Sequence, residues 1–233
     1  PEVRAAIMSE KDVAPDEPGS MENVYRLFKM AAPALYPLDH PVDYEPDISE
    51  CLGAKAAAIG VDPIDYLYDF LLEDGGTRFA SLSAVDLPAR MGVLQELLLH
   101  PDTVTGLSDA GAHVTLICDG SMPTTQLAYW TRDREKGEKI PIEYIVRKQT
   151  ALNAQLYGFD DRGALEQGKK ADVNVIDMDN LRVSPPVPHH DLPTGGTRLM
   201  QPVTGYINTL CNGISVREFD LDTGDRPGRL VRS

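Results

Sequence analysis

Apolar and polar positions follow two different periods along this chain, and the change from one to the other falls near residue 160. Residues 62–72 (DPIDYLYDFLL) carry the cleanest helical period, with Ile64, Leu67, Tyr68, Leu71 and Leu72 at i, i+3, i+4, i+7 and i+8. Asp62 is placed to cap that helix, Pro63 suits its first position, and Gly75-Gly76 stops it. Residues 22–35 (ENVYRLFKMAAPAL) set Val24, Leu27, Phe28 and Leu35 on one helical stripe that Pro33 bends or ends. Residues 36–47 (YPLDHPVDYEPD) read as loop, because prolines and acids punctuate them. A short strand is predicted over 79–83, a helix over about 87–99 closed by His100-Pro101, and a strand over Val104–Ser108. Strand, helix and strand in that order mark a βαβ unit and a parallel sheet.

From Pro141 the helical period returns, with Ile142, Ile145, Val146, Gln149 and Leu152 on one face and Thr150 placed to cap a short second helix ending near Gly158. Beyond that the period becomes two. Val173 and Val175 alternate with Asp172 and Asn174, and the predicted strands Tyr206–Cys211 and Ile214–Phe219 flank Asn212-Gly213, a strong hairpin signal. Residues 184–196 (SPPVPHHDLPTGG) read as a proline- and glycine-rich loop. The expected class is α/β, with an α/β segment over 1–160 and a small β domain over 161–233; there is no internal repeat or low-complexity tract.

Charge narrows the partners. The 233 residues have a formal net charge of -14, which disfavours nucleic acid and anionic membrane surfaces, and the basic residues are scattered. A small-molecule or protein partner suits this balance better. Cys51, Cys118 and Cys211 lie far apart with no CxxC pair, which fits a reducing cytoplasm. No apolar run approaches the roughly 20 residues a bilayer span needs, and the start has no signal-peptide pattern. The first residue is proline, so the chain is expected to be trimmed or part of something longer.

The candidate chemistry centres on residues 105–117 (TGLSDAGAHVTLI). They read as a short buried strand ending at Asp109, then a turn of small residues and His113. A carboxylate at a strand end serves either a site assembled from several elements or a cap or turn. His113 is placed to line a pocket, hydrogen-bond a substrate or orient Asp109; alternatively it is a loop histidine satisfied by backbone. Arg132, Arg134 and Arg147 follow as candidate carboxylate clamps, although residues 130–139 (WTRDREKGEK) read more simply as a solvated helix end. His189-His190, in an irregular loop without a third ligand nearby, read as exposed. Cys118 and Cys211 read as small hydrophobes in buried strands.

Four segments together carry a family resemblance. Residues 163–177 (GALEQGKKADVNVID) resemble the C-terminal signature of the amidohydrolase superfamily, and residues 145–159 (IVRKQTALNAQLYGF) resemble its Thr-x-x-x-Ala helix pair. Residues 203–216 (VTGYINTLCNGISV) with Pro227-Gly228-Arg229 are similar to its closing hairpin and tail. With residues 107–113 (LSDAGAH) added, the match is to the N-acyl-D-amino-acid deacylase (D-aminoacylase-like) branch, strongest from about 98 to 232. The resemblance implies the C-terminal part of a metal-dependent-hydrolase (β/α)8 barrel followed by a small β-sandwich-like domain, with zinc at the C-terminal strand ends. It implies that Asp109 sits beside the metal, carrying the proton of the attacking water and serving as a weak ligand, with Ser108, Gly111 and His113 on the substrate side.

The same resemblance implies ligands that are not here. Family members hold metal with a His-x-His on the first barrel strand, a Lys, Glu or Cys on a middle strand and single histidines later, whereas this chain has 5 histidines and no His-x-His. Residues 1–10 (PEVRAAIMSE) already resemble a segment deep inside the barrel. The expectation is a C-terminal fragment that binds zinc weakly or not at all, shows no deacylase turnover alone, and associates with itself or with the missing N-terminal half. Its substrate in the full enzyme would be a small N-acyl amino acid. The alternative is a non-catalytic structural or oligomerisation module derived from the same fold.

Overall fold

The computed structural model describes residues 2–11, 26, 29–39, 41–82, 87–106 and 108–231, with only the backbone described at 82 and 87–90. The expected stripe residues Val24, Leu27 and Phe28 lie outside them. The chain forms two compact units, 1–91 and 92–233.

In the first unit, helix α1 (Glu2–Ser9) is followed, among the described residues, by helical positions at 26 and 29–31 within the expected helix, then by a 3-10 turn over Ala32–Ala34 and strand β1 (Leu35–Pro37). The helical stretch ends, as expected, in the turn that carries Pro33, and Leu35 beyond it is a buried strand residue and not the last residue of the helix. Helix α2 (Leu52–Ile59) starts where the Cys51 sulfur accepts the Ala54 N–H at 3.4 Å, and it ends at Gly60 in the left-handed region. Gly53 sits so close to Pro33 that a Cβ there would lie 2.5 Å from the Pro33 carbonyl oxygen, so only glycine lets these segments meet.

Helix α3 (Pro63–Leu72) is capped as the sequence predicts: the Asp62 carboxylate accepts the Ile64 N–H at 2.8 Å, and Pro63 opens the helix. Its buried face is rotated from the expected one. Phe70 joins Ala32, Leu35 and Leu52 in the core, with Ile64, Tyr66 and Leu67 packed alongside, while Leu71 and Leu72 are exposed. Arg78 stacks on the Phe70 ring at 4.6 Å, which satisfies the outer side of the aromatic. Strand β2 (Ala80–Leu82) falls inside the predicted span, but it pairs antiparallel with β1.

Helix α4 (Leu87–Leu99) has the predicted bounds. The parallel strand expected at 104–108 does not follow: residues 103–106, 108 and 109 have no regular structure. A strand needs a neighbour to take its N–H and C=O groups, and no described segment pairs with this one. All strand pairings among the described residues are antiparallel, so they contain no βαβ unit. What stands is a mixed α/β chain.

Helix α5 (Met122–Ala128) runs into a π-helical turn over Tyr129–Asp133, which packs Trp130 inward with Tyr129 edge-on at 5.5 Å. Arg134 stacks on Trp130 at 4.7 Å and is buried, so residues 130–139 are not simply a solvated helix end. Helices α6 (Ile142–Gln149) and α7 (Ala151–Leu156) take the predicted places. Thr150 between them does not cap with its side chain; its hydroxyl donates back to the Val146 carbonyl at 2.6 Å.

The β part of this unit is built on strands β3 (Val173–Ile176), β4 (Arg182–Val183), β5 (Val187–His189), β6 (Arg198–Met200), β7 (Val203–Thr204), β8 (Tyr206–Cys211), β9 (Ile214–Glu218) and β10 (Leu221–Asp222). A four-stranded sheet has the order β10-β9-β8-β3, and β4-β7 and β5-β6 form separate ribbons. The β8-β9 hairpin turns at Asn212 and Gly213, both with positive φ (51° and 78°), the conformation that pair favours. An irregularity between Val175 and Ile176 breaks the expected alternation, leaving Val175 exposed and Ile176 half-buried. The predicted 184–196 loop is in part a ribbon, because β5 finds its partner only beyond the loop, with Pro188 opposite Leu199.

Candidate active site

The loop from Ser108 to Ser121 is built from successive tight turns. Asp109 (φ 54°), Gly111 (φ 95°) and His113 (φ 46°) all take positive φ within five residues. A non-glycine residue in that region is disfavoured by of order 1 kcal/mol, aspartate less than most. Two of them here mean that surrounding bonds hold the loop. The His113 carbonyl accepts N–H groups from Leu116 (2.8 Å) and Ile117 (3.0 Å), and the Val114 carbonyl accepts from Leu199 of β6 at 2.7 Å. Ser121, buried, donates its hydroxyl to the Gln201 side-chain carbonyl, and Thr124 shares a hydrogen bond of 2.8 Å with the Tyr206 hydroxyl.

The other end of the loop is held by Lys148 of α6. This lysine is 1% exposed, and its ammonium donates to the Thr103 carbonyl (2.7 Å), the Thr103 hydroxyl (2.8 Å) and the His100 carbonyl (3.4 Å). No carboxylate pairs with it in these bonds, and burial pushes its ammonium below the ordinary lysine range. Asn153 of α7 donates to the Thr105 hydroxyl at 3.5 Å, and its own carbonyl oxygen is buried without a partner among the described residues. Helices α6 and α7 therefore clamp the turn that leads into Asp109.

Within the loop the predicted site residues stand as follows. Asp109, Gly111 and His113 are exposed, and Ser108 is half-buried. A Cβ on Gly111 would meet nothing within 4 Å, so its role is the sharp turn, not close packing. The loop also brings in a carboxylate that sequence reading missed. Asp119 is held above the usual carboxylate range, first by desolvation and then by the negative charge of Asp109. Cys118 is half-buried with its thiol pushed up by burial and by Asp119; it lies in an irregular stretch just before the 3-10 turn at Asp119, not in the buried strand expected for it, whereas Cys211 does lie in β8. Nothing in the local pattern singles out Asp119, since ten residues of turns set its approach to Asp109.

Asp119 carries a pH prediction. The folded state holds this proton more tightly than the unfolded chain, so its contribution to stability is greatest at acid pH and declines as pH rises through the raised pKa. Asp119→Asn should remove that decline. The variant's melting temperature is expected to gain on the parent between about pH 4 and pH 7; an equal difference at both ends would show that the carboxyl does not feel Asp109.

Two of the three arginine candidates are engaged elsewhere. Arg132 pairs with Asp133 and donates to the Met178 and Leu181 carbonyls, and Arg134 donates to Gln95 Oε1 at 2.6 Å. Arg147 is exposed on α6. His189 and His190 are exposed as expected, with His190 Nδ1 2.9 Å from the Thr197 hydroxyl. Among the described residues no three His, Cys, Asp or Glu side chains are grouped to hold a metal ion. Asp109 and Asp119 are by themselves too few for a zinc centre, which takes at least three protein ligands.

Residues 47–216, which include this loop and its clamps, match the family model described as the amidohydrolase family. The chain belongs to that family. Among curated proteins it is 31% identical over 136 residues to uncharacterized proteins of Mycobacterium tuberculosis and Mycobacterium bovis, covering 58% of this chain and 22% of theirs. It is 29% identical over 163 residues to a 5-methylthioadenosine/S-adenosylhomocysteine deaminase of Haloarcula marismortui, covering 65% of this chain and 34% of that one. The amidohydrolase-family chain thus spans about a fifth to a third of the length of these relatives. No solved structure matches it. Among the described residues no helix is long and apolar enough to cross a membrane.

Proposed function

We propose that this chain is part of a metal-dependent hydrolase that cleaves a non-peptide C–N bond, with N-acyl-D-amino acids as substrates. The observation that carries the reading is Asp109: an exposed carboxylate on a strained loop, fixed at both ends, within the span matched by the amidohydrolase family. The relative named a deaminase supports the bond class, since deamination also breaks a C–N bond. In this reading the first 160 residues are the last part of a (β/α)8 barrel and the rest a β-sandwich-like domain. The cysteines, all free, are in keeping with the cytoplasm.

Hydrolysis of an amide adds water across the C–N bond. Asp109 accepts a proton from the water as its oxygen bonds to the carbonyl carbon, then returns that proton to the nitrogen as the C–N bond breaks. The products are a carboxylate and a free amine. Ser108, Gly111 and His113 line the substrate side of the same loop. The cofactor we propose is zinc, held in the complete enzyme by ligands outside the described residues, where it would supply an acidified water. Asp109 is the candidate ligand on this chain. The test is assay of N-acyl-D- and N-acyl-L-amino acids with the complete enzyme: turnover of the D-series supports the reading, and amide hydrolysis absent from both series contradicts it.

A second reading, a non-catalytic oligomerisation module, is favoured by one feature. Val93, Leu94, Leu97 and Leu99 of α4 are exposed, at 52%, 36%, 50% and 42%. Apolar residues clustered on a helix favour association. We propose that the isolated chain covers them with a second copy. Leu97→Glu should then shift it toward monomer in sedimentation, and a parent chain monomeric at all concentrations would count against the module.

A further inference from the structure

The second unit holds a cavity of about 450 Å³ lined by none of the Asp109 loop. It opens between the tip of the β8-β9 hairpin, the segment that leads into β3, and the C-terminal tail. The tail is held there by Asn212, whose side-chain amide donates to the Pro227 carbonyl at 3.3 Å. The Asn212 main-chain N–H donates in turn to the Asp172 carboxylate at 2.8 Å, and Gly213 donates to the Ala171 carbonyl at 2.9 Å. The hairpin tip and the segment into β3 are therefore tied together, and the tail is attached at Pro227.

Three cations face this space: Arg162, Lys170 and Arg229. Arg162 is oriented by Asp161 (3.0 Å) and Asp172 (3.1 Å) and lies over the Phe159 ring at 5.7 Å. Lys170 pairs with Asp161 at 2.9 Å, and those two partners hold the Asp161 carboxyl at about 2. Asp161 and Asp172 thus answer two of the cations. Arg229 makes no hydrogen bond or ion pair among the described residues. The chain's net charge of -14 repels anions overall and leaves their binding to local arrangements. Ile214 (47% exposed) and Leu230 (79% exposed) form an apolar rim on the same space, which is open to solvent.

We propose that this cavity binds a small organic carboxylate. Arg229 is its primary partner through the planar two-point geometry that guanidinium offers a carboxylate. The remaining donors of Arg162 add to the field, and the aliphatic body lies along Ile214 and Leu230. The volume suits a ligand of a few to a dozen heavy atoms.

The test is calorimetric titration of the full chain with hexanoate, inorganic phosphate and hexan-1-ol. Arg229→Gln is the variant of choice, because Arg229 makes no hydrogen bond or ion pair among the described residues. Saturable hexanoate binding, no binding of hexan-1-ol, and weakening of about tenfold or more in Arg229→Gln are the expected results. Absence of saturable hexanoate binding overturns the proposal, as does equal affinity in Arg229→Gln. Phosphate bound more tightly than hexanoate overturns the carboxylate assignment.

Discussion

Asp109→Asn in the complete enzyme is expected to lower turnover by about 10²-fold or more while leaving the fold intact, because a general acid–base group contributes on that scale. Asparagine keeps the size and tolerates the left-handed backbone at this position, so the φ of 54° does not obstruct the substitution. What is lost is the ability to accept and return a proton, together with the negative charge of the candidate zinc ligand. Circular dichroism and melting temperature check the fold, and single-turnover amide cleavage checks the chemistry. Within this account KM moves little, since Asp109 acts on water and the leaving nitrogen. A variant with parental turnover would remove Asp109 from the role.

Lys148→Met is expected to lower stability by about 2–3 kcal/mol, read from denaturant unfolding. Methionine matches the aliphatic stem of lysine but leaves the Thr103 carbonyl and hydroxyl without their buried donor, while the His100 carbonyl keeps the Thr103 hydroxyl at 3.0 Å. Two opposing effects decide the size. Burial depresses the lysine pKa, so charge in that slot is unfavourable and its removal returns some free energy. Against this, two short bonds from a charged donor are worth about 1.5–3 kcal/mol each, and their loss outweighs the return. The depressed pKa also fixes a sign: the folded state holds this proton less tightly than the unfolded chain, so stability rises as pH rises through the folded pKa toward 10.5. Lys148→Met should lack that rise. Unchanged stability in the variant would mean that the turn before Asp109 stands without its clamp.

Features read correctly from sequence have causes that act within a few residues. The Asp62 cap and Pro63 at the start of α3 are local, and so is the Asn212-Gly213 turn, where two adjacent residues choose the hairpin. The misreadings depend on distant partners. Residues 104–108 look like a strand by composition, yet a strand exists only beside another, and the described chain offers none there. Val187–His189 looks like loop because prolines surround it, yet its partner strand, Arg198–Met200, lies beyond the loop. Phe70 is buried instead of Leu71 because the position of Leu52 and Leu35, not the helical period alone, decides which way α3 faces.

The site divides in the same way. The carboxylate, the glycine and the histidine are visible in residues 108–113, and family resemblance supplies their roles. Lys148 is not visible: a lysine near the end of a helix reads as solvated, and only the turn at 100–103, brought alongside by the fold, makes it a buried clamp. Asp119 is likewise an ordinary aspartate until the turns between Asp109 and Ser121 bring the two carboxylates within each other's field. A further acid after the SDAGAH segment, ahead of a helix, is a pattern to test in relatives of this length and loop geometry.

The most direct test of the account is the pH dependence of kcat/KM in the complete enzyme and in its Asp109→Asn variant. If Asp109 moves the proton, the parent's profile has an acid limb that the variant's residual rate lacks. An acid limb of the same midpoint in both proteins would contradict it.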